Sequence, residues 1–183
     1  MSHSDFQLAM LETALQHLSE RVADVPVTGI LLIRLLTHLG RGMASLLDEQ
    51  IRPFGLTEAE FRVLTTLFAQ PDGAAYPSDV CARTDQSPAN MSRLTDALAD
   101  RHLITRVLSE RDRRRIVLRV TAQGEELVRR LLPTLFAPVH SMFKDFTASE
   151  QQQLVMQLKR VSAELEQAML QAGGSCPSRA EST

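Results

Sequence analysis

The sequence predicts a mainly α-helical chain with one small β-hairpin, and three observations favour this fold class. Apolar residues recur at spacings of three and four along most of the chain, which is the periodicity of helices packed on one side. The period changes to two only within residues 104–120. A Thr-x-x-Glu pattern, which caps helix starts, occurs at Thr57 and again at Thr147.

Length and composition exclude several classes of protein. A chain of 183 residues, 44% hydrophobic and 23% charged, has room for one domain or two small ones and is ordinary for a globular protein. Aromatic residues make up only 4% of the chain, with no Trp and one Tyr, Tyr76, which disfavours a protein that binds single-stranded nucleic acid by stacking. Cys81 and Cys176 make neither a zinc pattern nor a disulfide framework, which favours a reducing, cytoplasmic location. The first ten residues do not have the form of a signal peptide.

Two helices are predicted in the first 52 residues. The first carries one apolar stripe, formed by Leu8, Leu11, Leu15, Leu18 and Val22. The second, from about Thr28 to Ile51, is apolar nearly all round at its start, so we expect it to be buried against its own domain or against a partner. Its most apolar run contains Arg34 and His38 and is about 15 residues long, whereas a membrane span needs about 20.

Three more helices are predicted in the middle of the chain. A capping box at 57–60 starts the first, and a short helix follows from Pro77 to about residue 83. After a break, Ser87 caps a helix to about residue 102 that begins with Pro88, where a missing N–H is harmless. The inner stripe of this helix is Met91, Leu94 and Leu98. The residues left outward are Ala89, Asn90, Arg93 and Ala97.

A strand pattern follows these helices. Ile116, Leu118 and Val120 share a face that we expect to be buried, while Arg115 and Arg119 stand on the other. The stretch 104–108 is a plausible partner strand, and the tip between the two strands is strongly charged. Residues 81–130 carry eleven Arg against seven acids, whereas the rest of the chain is net acidic. The positive charge is densest at Arg111, Arg113, Arg114 and Arg115.

Short helix, break, capped helix and charged hairpin make a winged helix-turn-helix, which binds double-stranded DNA. The N-terminal end of an α-helix in the major groove meets base edges, so Asn90 suits adenine, and Arg93 suits guanine or a phosphate. Ala89 lets the helix approach closely, and Ser87 with the free N–H groups beside it suits a phosphate. An arginine at the hairpin tip can enter the minor groove. The alternative is a solvated helix face followed by a solvated charged tip.

Two helices are predicted after the hairpin. Thr121 caps the first, and the second follows the capping box at Thr147 with the stripe Leu154, Leu158, Val161 and Leu165. We therefore divide the chain into N-terminal dimerisation helices at 1–52, a DNA-binding region at 53–124, C-terminal dimerisation helices at 125–172 and a disordered tail at 173–183. Packing of the stripes within one chain is the alternative to a dimer.

The residues from Ser109 to Arg115, followed by Leu118, Val120, Thr121 and Gly124, resemble the wing signature of the MarR family of transcription regulators. The segments 29–35, 56–61 and 131–133 are similar to its EmrR/MprA branch. The resemblance implies that Arg114 enters the minor groove while Asp112 braces it, and that Arg93 is a recognition-helix contact. It also implies a homodimer on an inverted-repeat operator, most often a repressor. Members of the branch repress multidrug efflux genes and release DNA on binding phenolic compounds.

The terminal stripes and an effector pocket complete the prediction. The dimer interface is predicted at Leu8, Leu11, Leu15, Leu154, Leu158, Val161 and Leu165. A pocket for a small aromatic anion is predicted at Leu31, Arg34, Leu35, His38 and Phe61. A cation beside apolar walls suits a carboxylate or a phenolate. The alternative is that Arg34 pairs with an acid and His38 is a satisfied histidine.

Three other functions compete with a ligand-responsive repressor. A redox-responsive relative would need a reactive cysteine near the N-terminus, and none precedes Cys81, which we interpret as a small buried hydrophobe. An enzyme is disfavoured, because the five histidines show no metal-ligand spacing and no phosphate-binding glycine loop is present. No cofactor, metal or membrane partner is expected. A winged helix used only for protein interaction is disfavoured by the arginines at the tip, and an activator remains open.

Overall fold

The computed structural model describes residues 3–109 and 112–173, in which seven α-helices and three β-strands form. The helices are α1 His3–Arg21, α2 Val27–Ile51, α3 Glu58–Phe68, α4 Pro77–Thr84, α5 Pro88–Asp100, α6 Ala122–Phe143 and α7 Ala148–Gly173. The strands are β1 Ala74–Ala75, β2 Ile104–Leu108 and β3 Ile116–Val120. The chain divides into two compact units, Met1–Leu135 and Phe136–Thr183. The boundaries predicted at 52, 124 and 172 stay predictions, and the predicted tail lies outside the described residues from position 174 onward.

The predicted hairpin is present, and it belongs to a three-stranded antiparallel sheet. Strands β2 and β3 pair with Ile104 opposite Val120 and Leu108 opposite Ile116. Strand β1 pairs with the other edge of β3, so the order is β1-β3-β2. Two alanines offer no alternation for a sequence pattern to detect, which is why this short strand was not predicted. It fixes the start of α4 against the hairpin.

One residue of β3 departs from the predicted pattern. Leu118 and Val120 are buried as expected, but Ile116 is 48% exposed. Its position explains the difference, because it lies at the tip end of the hairpin, opposite the exposed Leu108. The prediction that all three alternating residues are buried is therefore wrong for Ile116.

The core of the first unit lies between α3, the inner side of α5, the sheet and the start of α6. The capping box of α3 is formed as predicted: the N–H of Glu60 donates to the hydroxyl of Thr57, and the carboxylate of Glu60 accepts from the N–H of Thr57. Among the residues of the core with essentially no exposure are Val63, Leu64, Leu67, Leu98 and Leu131. This packing fixes α5 with its outer side free.

A clamp joins the start of β2 to the start of α6. The hydroxyl of Thr121 donates to the carbonyl of His102 at 2.7 Å and accepts from the N–H of Gly124 at 3.0 Å. A Cβ on Gly124 would lie 2.1 Å from the carbonyl oxygen of Leu103, closer than any real contact. Only glycine therefore allows this approach. The Thr-x-x-Gly end of the wing pattern is thus a packing requirement between helix and strand.

Helix α2 is not buried within the single chain. From Val27 to Gln50 its residues are half-buried at most, and Leu32, Ile33 and Leu39 are each at least half exposed. By length and composition alone, Val27–Phe54 is the one described stretch that could cross a membrane, with a mean hydropathy of 1.4. Of the two expected alternatives, the single chain does not supply burial against its own domain, and burial against a partner stays a prediction.

The two predicted stripes of the terminal helices differ. In the first unit α1 packs against α2, and Leu15 is buried within the chain while Leu8 and Leu11 are half-buried. In the second unit the stripe of α7 lies exposed, from 39% at Leu154 to 58% at Leu165. The first part of the α1 stripe thus has intrachain partners, whereas Leu18 and Val22 at its end and the α7 stripe are exposed.

The predicted capping box at the start of α7 is formed. The hydroxyl and the N–H of Thr147 donate to the carboxylate of Glu150 at 2.7 and 2.8 Å, and the N–H of Glu150 donates back to the hydroxyl oxygen. These hydrogen bonds from Thr147, the hydroxyl first, hold the pKa of the Glu150 carboxyl below its ordinary value.

Candidate nucleic-acid interface

Helices α4 and α5 form the predicted helix-turn-helix. Helix α4 ends at Thr84, and the C-cap residue Asp85 adopts the left-handed conformation with φ of 53° and turns the chain. Ser87 then caps α5: it has extended backbone angles, and its hydroxyl accepts from the N–H of Asn90 at 3.3 Å. Pro88 is at the first turn, as predicted. The start of α5 is thereby fixed. The N–H groups that remain free lie at this N-terminal end, where a phosphate contact is predicted.

The faces of α5 are largely those predicted from its periodicity. Met91 and Leu98 are buried and Leu94 is half-buried. Ala89 and Arg93 are exposed, as a base-reading or phosphate-binding role requires. Thr95, which the predicted stripe omitted, is also buried, because it faces the hairpin. At the N-terminal end of α5, the exposed side chains are therefore small.

Asn90 is the least free of the predicted contacts on α5. It is half-buried, and its amide nitrogen donates to the side-chain oxygen of Gln86 at 2.5 Å. Reading adenine uses both the oxygen and the nitrogen of the asparagine amide. Its amide nitrogen carries two hydrogens, so Asn90 can keep its bond to Gln86 with one and donate to adenine with the other.

Asp112 braces the hairpin tip in a different way from the one predicted. Its carboxylate accepts from the backbone N–H of Arg114 at 3.0 Å, and its carbonyl accepts from the N–H of Arg115 at 2.9 Å. The guanidinium of Arg114 makes no ion pair among the described residues. Asp112 therefore orders the turn rather than the arginine side chain. Arg111 lies outside the described residues.

Not all of the arginines predicted to contact DNA are free. The guanidinium of Arg115 lies over the ring of Tyr76, with Cζ 3.8 Å from the ring centroid. Arg119, on β3 and not among the predicted DNA contacts, donates to the carbonyl of Asp72 at 2.8 Å. Arg113, Arg114 and Arg115 are all exposed at the tip. Arg115 differs from the other two in that its guanidinium also contacts a ring of the protein, and the DNA contacts of all three stay predictions.

Arg106 links the hairpin to α5, a contact that was not predicted from the sequence. On β2, its guanidinium is 2.6 Å from the carboxylate of Asp96 and 2.7 Å from the hydroxyl of Thr95, both on α5. Because these partners lie on different elements, no spacing rule within one helix or one strand could find them. The link ties the direction of the hairpin to that of α5.

A cleft of about 620 Å³ lies between α4, α5 and the hairpin. Its size is within the range of small-molecule sites, roughly 300–1,000 Å³. Its lining is Pro77, Ser78, Cys81, Pro88, Met91, Ser92, Thr95, Arg106, Ile116 and Leu118. Cys81, predicted to be a buried hydrophobe, is half-buried on its wall. Among the described residues, no cluster of three His, Cys, Asp or Glu could hold a metal ion.

The residues of the predicted effector pocket lie elsewhere. Arg34 and His38 are exposed on α2, and Leu31, Leu35 and Phe61 are half-buried. None of the five lines the cleft beside α5. Their joint role in a pocket stays a prediction, since α2 presents them on a surface that the single chain leaves open.

Comparisons with known proteins agree with this geometry. A profile described as "MarR family" matches residues 54–115, the region from just before α3 to the hairpin tip. The transcriptional repressor MprA of Escherichia coli K12 is 28% identical over 163 residues, covering 89% of this chain and 93% of that protein. The crystal structure of AbsC, a MarR family transcriptional regulator from Streptomyces coelicolor, has a TM-score of 0.71 at 25% identity and covers 79% of this chain and 99% of its own. Bordetella bronchiseptica BpsR, whose DNA binding is regulated by 6-hydroxynicotinic acid, has a TM-score of 0.61 at 26% identity and covers 70% and 91%.

Proposed function

We propose that the chain is a ligand-responsive repressor of the MarR family, whose profile matches residues 54–115 and whose members it is similar to. It binds an inverted-repeat operator as a homodimer and is released by small aromatic anions. As the resemblance to the EmrR/MprA branch implies, multidrug efflux genes are its proposed targets. The observation that carries DNA binding is the pairing of a capped, outward-facing α5 start with a hairpin tip whose Arg113 and Arg114 are exposed.

DNA recognition is divided between α5 and the tip. Arg93 and the N-terminal end of α5 meet the major groove, and Arg114 meets the adjacent minor groove. The link from Arg106 to Asp96 keeps these two parts in a fixed relation. Since each chain offers one such pair, an operator with one half-site would use only half of the contacts that two chains can make.

A second copy of the chain is the proposed cover for the apolar helices. Leu32, Ile33 and Leu39 of α2 and the stripe of α7 are exposed in the single chain. Exposed apolar area of this extent marks an interaction site. Two-fold symmetry would present two α5 helices, so the half-sites should lie about 10 bp apart or a multiple of that.

The proposed effector is an aromatic carboxylate or phenolate. The related BpsR responds to 6-hydroxynicotinic acid, which belongs to this chemical class. Two positions in the chain offer an arginine beside apolar walls: Arg34 on α2 and Arg106 in the cleft beside α5. A ligand shifts the DNA equilibrium only if it binds one form more tightly, so bound operator must weaken ligand binding by the same factor.

One binding experiment tests the function. Labelled duplexes from the DNA flanking the chain's own gene are titrated with protein, with a scrambled duplex of the same composition as control. We expect a specific complex that contains two chains. No preference for the flanking DNA over the scrambled duplex at physiological salt would refute the regulatory role at that site. Retained binding after alkylation of Cys81 would exclude a redox switch at that thiol.

A second titration tests the effector. Adding salicylate or dinitrophenol should release the labelled duplex. Arg34→Ala should raise the ligand concentration needed while leaving ligand-free DNA affinity nearly intact, and Arg41→Ala, two turns along the same helix, is the matched control. If Arg106→Ala loses the response and Arg34→Ala keeps it, the effector site is the cleft and the α2 pocket is wrong. No release by either compound at millimolar levels would refute the aromatic-anion proposal.

A further inference from the structure

Tyr76 lies where the helix-turn-helix meets the hairpin. It follows β1 directly and is the N-cap residue of α4. Its phenol oxygen is 3.0 Å from the hydroxyl oxygen of Ser109, which is 33 positions further along the chain. Ser109 is only 6% exposed, although it stands at the edge of a highly charged tip. The contact therefore anchors the base of the tip to the start of α4.

The ring of Tyr76 holds the other side of the same tip. The guanidinium of Arg115 is stacked over it at 3.8 Å from the centroid. The N–H of Ser109 also donates to the carbonyl of Arg115 at 2.9 Å, so these two residues close the tip. One side chain thus contacts both residues at which the tip leaves and rejoins the protein.

From this closure, hydrogen bonds continue to the arginine proposed to enter the groove. The N–H of Asp112 donates to the Ser109 hydroxyl at 3.4 Å. The N–H of Arg115 donates to the carbonyl of Asp112, and the Asp112 carboxylate accepts from the N–H of Arg114 at 3.0 Å. A continuous set of contacts therefore runs from the phenol to the backbone that carries Arg114.

We propose that Tyr76 is the positioning residue of the DNA-binding hairpin tip. Its hydroxyl holds Ser109, its ring holds Arg115, and together they fix the backbone from which Arg113 and Arg114 extend. Because the tip is already ordered in the free protein, it loses less conformational entropy when it binds the operator. Arg115 then acts as a cation that holds the tip to Tyr76, not as a groove contact. This inference rests on the DNA-binding function proposed above.

Three variants separate the parts of this role. Tyr76→Phe removes the hydroxyl and keeps the ring, whereas Tyr76→Leu removes both. Phe68→Leu is the matched control, because Phe68 also lies beneath an arginine, with Cζ of Arg129 at 5.6 Å from the ring centroid, but on α3 and away from the tip. Each variant is titrated against the labelled duplex from the DNA flanking the gene, at several salt concentrations.

The salt dependence distinguishes positioning from simple loss of stability. We expect Tyr76→Phe to bind about 3- to 10-fold more weakly, as one lost hydrogen bond implies. Tyr76→Leu should bind about 10- to 100-fold more weakly. The slope of its log affinity against log salt concentration should also be shallower, by the amount that about one to two phosphate contacts contribute, although tyrosine itself carries no charge. Phe68→Leu should keep the wild-type slope. An unchanged slope in Tyr76→Leu would overturn the positioning role.

A double mutant tests the connection to Arg114. If Tyr76 acts through the tip, Tyr76→Leu should weaken binding much less in an Arg114→Ala background than in the wild type. Fully additive losses would show that Tyr76 acts on DNA binding by some other route, and the proposal would fail.

A measurement without DNA keeps the proposal testable on its own. Exchange of the amide hydrogens of Ser109 and Arg115, which close the tip, should speed up in Tyr76→Leu and not in Phe68→Leu. Tyr76 is the single tyrosine in a chain without Trp, so its fluorescence reports this site directly. Failure of the wild type to bind the duplex would count against the proposed function, whereas unchanged exchange in Tyr76→Leu would count against the positioning role alone.

Discussion

Gly124→Ala should destabilise the protein, against the helix propensities of the two residues. In an exposed helix interior, alanine is favoured over glycine by about 1 kcal/mol. At position 124, however, the added Cβ would lie 2.1 Å from the carbonyl oxygen of Leu103 and 2.9 Å from Cγ2 of Val120. The nearest atom belongs to the backbone, so no side-chain rotation relieves the overlap, and α6 must move away from the start of β2 by about 1 Å.

The magnitude follows from what this movement breaks. Overpacking of a core typically costs about 1–3 kcal/mol. The shift also strains the bonds from Thr121 to the carbonyls of His102 and Leu103, at 2.7 and 3.1 Å, each with a net value of about 1 kcal/mol. After the propensity gain is subtracted, a net loss of about 2–4 kcal/mol is expected.

Urea unfolding followed by circular dichroism measures this difference. Gly42→Ala is the matched control, because a Cβ at Gly42 would meet nothing within 4 Å in the chain. This control should be as stable as the wild type or more stable. A Gly124→Ala protein as stable as the wild type would refute the view that backbone contact, rather than chain flexibility, requires glycine at this position.

Four further substitutions test the tip, the assembly and the start of α7. Arg114→Ala should weaken operator binding by about 1–3 kcal/mol in a titration, and Asp112→Ala by nearly as much because the turn loses its order; full additivity of the two would contradict a joint role. Leu158→Asp places a charge in the exposed α7 stripe and should give a monomer or an unfolded chain by light scattering; a folded monomer with wild-type operator affinity would argue against the dimer seam. The lowered pKa of Glu150 means that its ionised form favours folding, so its contribution is present above the ordinary carboxyl pKa and is lost as pH falls through the lower folded value. The stability difference between Glu150→Gln and the wild type should therefore disappear at acid pH in urea titrations; a difference that does not change with pH would refute this assignment.

Local signals in the sequence were sufficient for most of the fold. The capping boxes at Thr57 and Thr147, the cap at Ser87 and the paired strands were all predicted and are present. Each depends on residues within a few positions of one another, or on an alternation that one element shows by itself. The same reasoning selected the outward face of α5, with Arg93 exposed.

Contacts between distant segments were beyond that reasoning. The pairing of Arg106 with Asp96 and the stacking of Arg115 on Tyr76 join different elements. The contact of Arg115 with the Tyr76 ring was therefore not predicted, and its predicted contact with DNA stays a prediction. Spacing also suggested that Asp112 pairs with the Arg114 side chain, whereas a short side chain two residues away reaches the backbone N–H.

The open surface of α2 has a thermodynamic consequence. If a second chain covers it, burial of this apolar area on association also stabilises the folded state. The melting temperature must then rise with protein concentration. The operator then enters this equilibrium as well. A duplex with two half-sites holds two chains at a high effective concentration, and a duplex with one half-site does not. DNA would thus stabilise the fold by mass action, in proportion to how well the half-site spacing suits the pair.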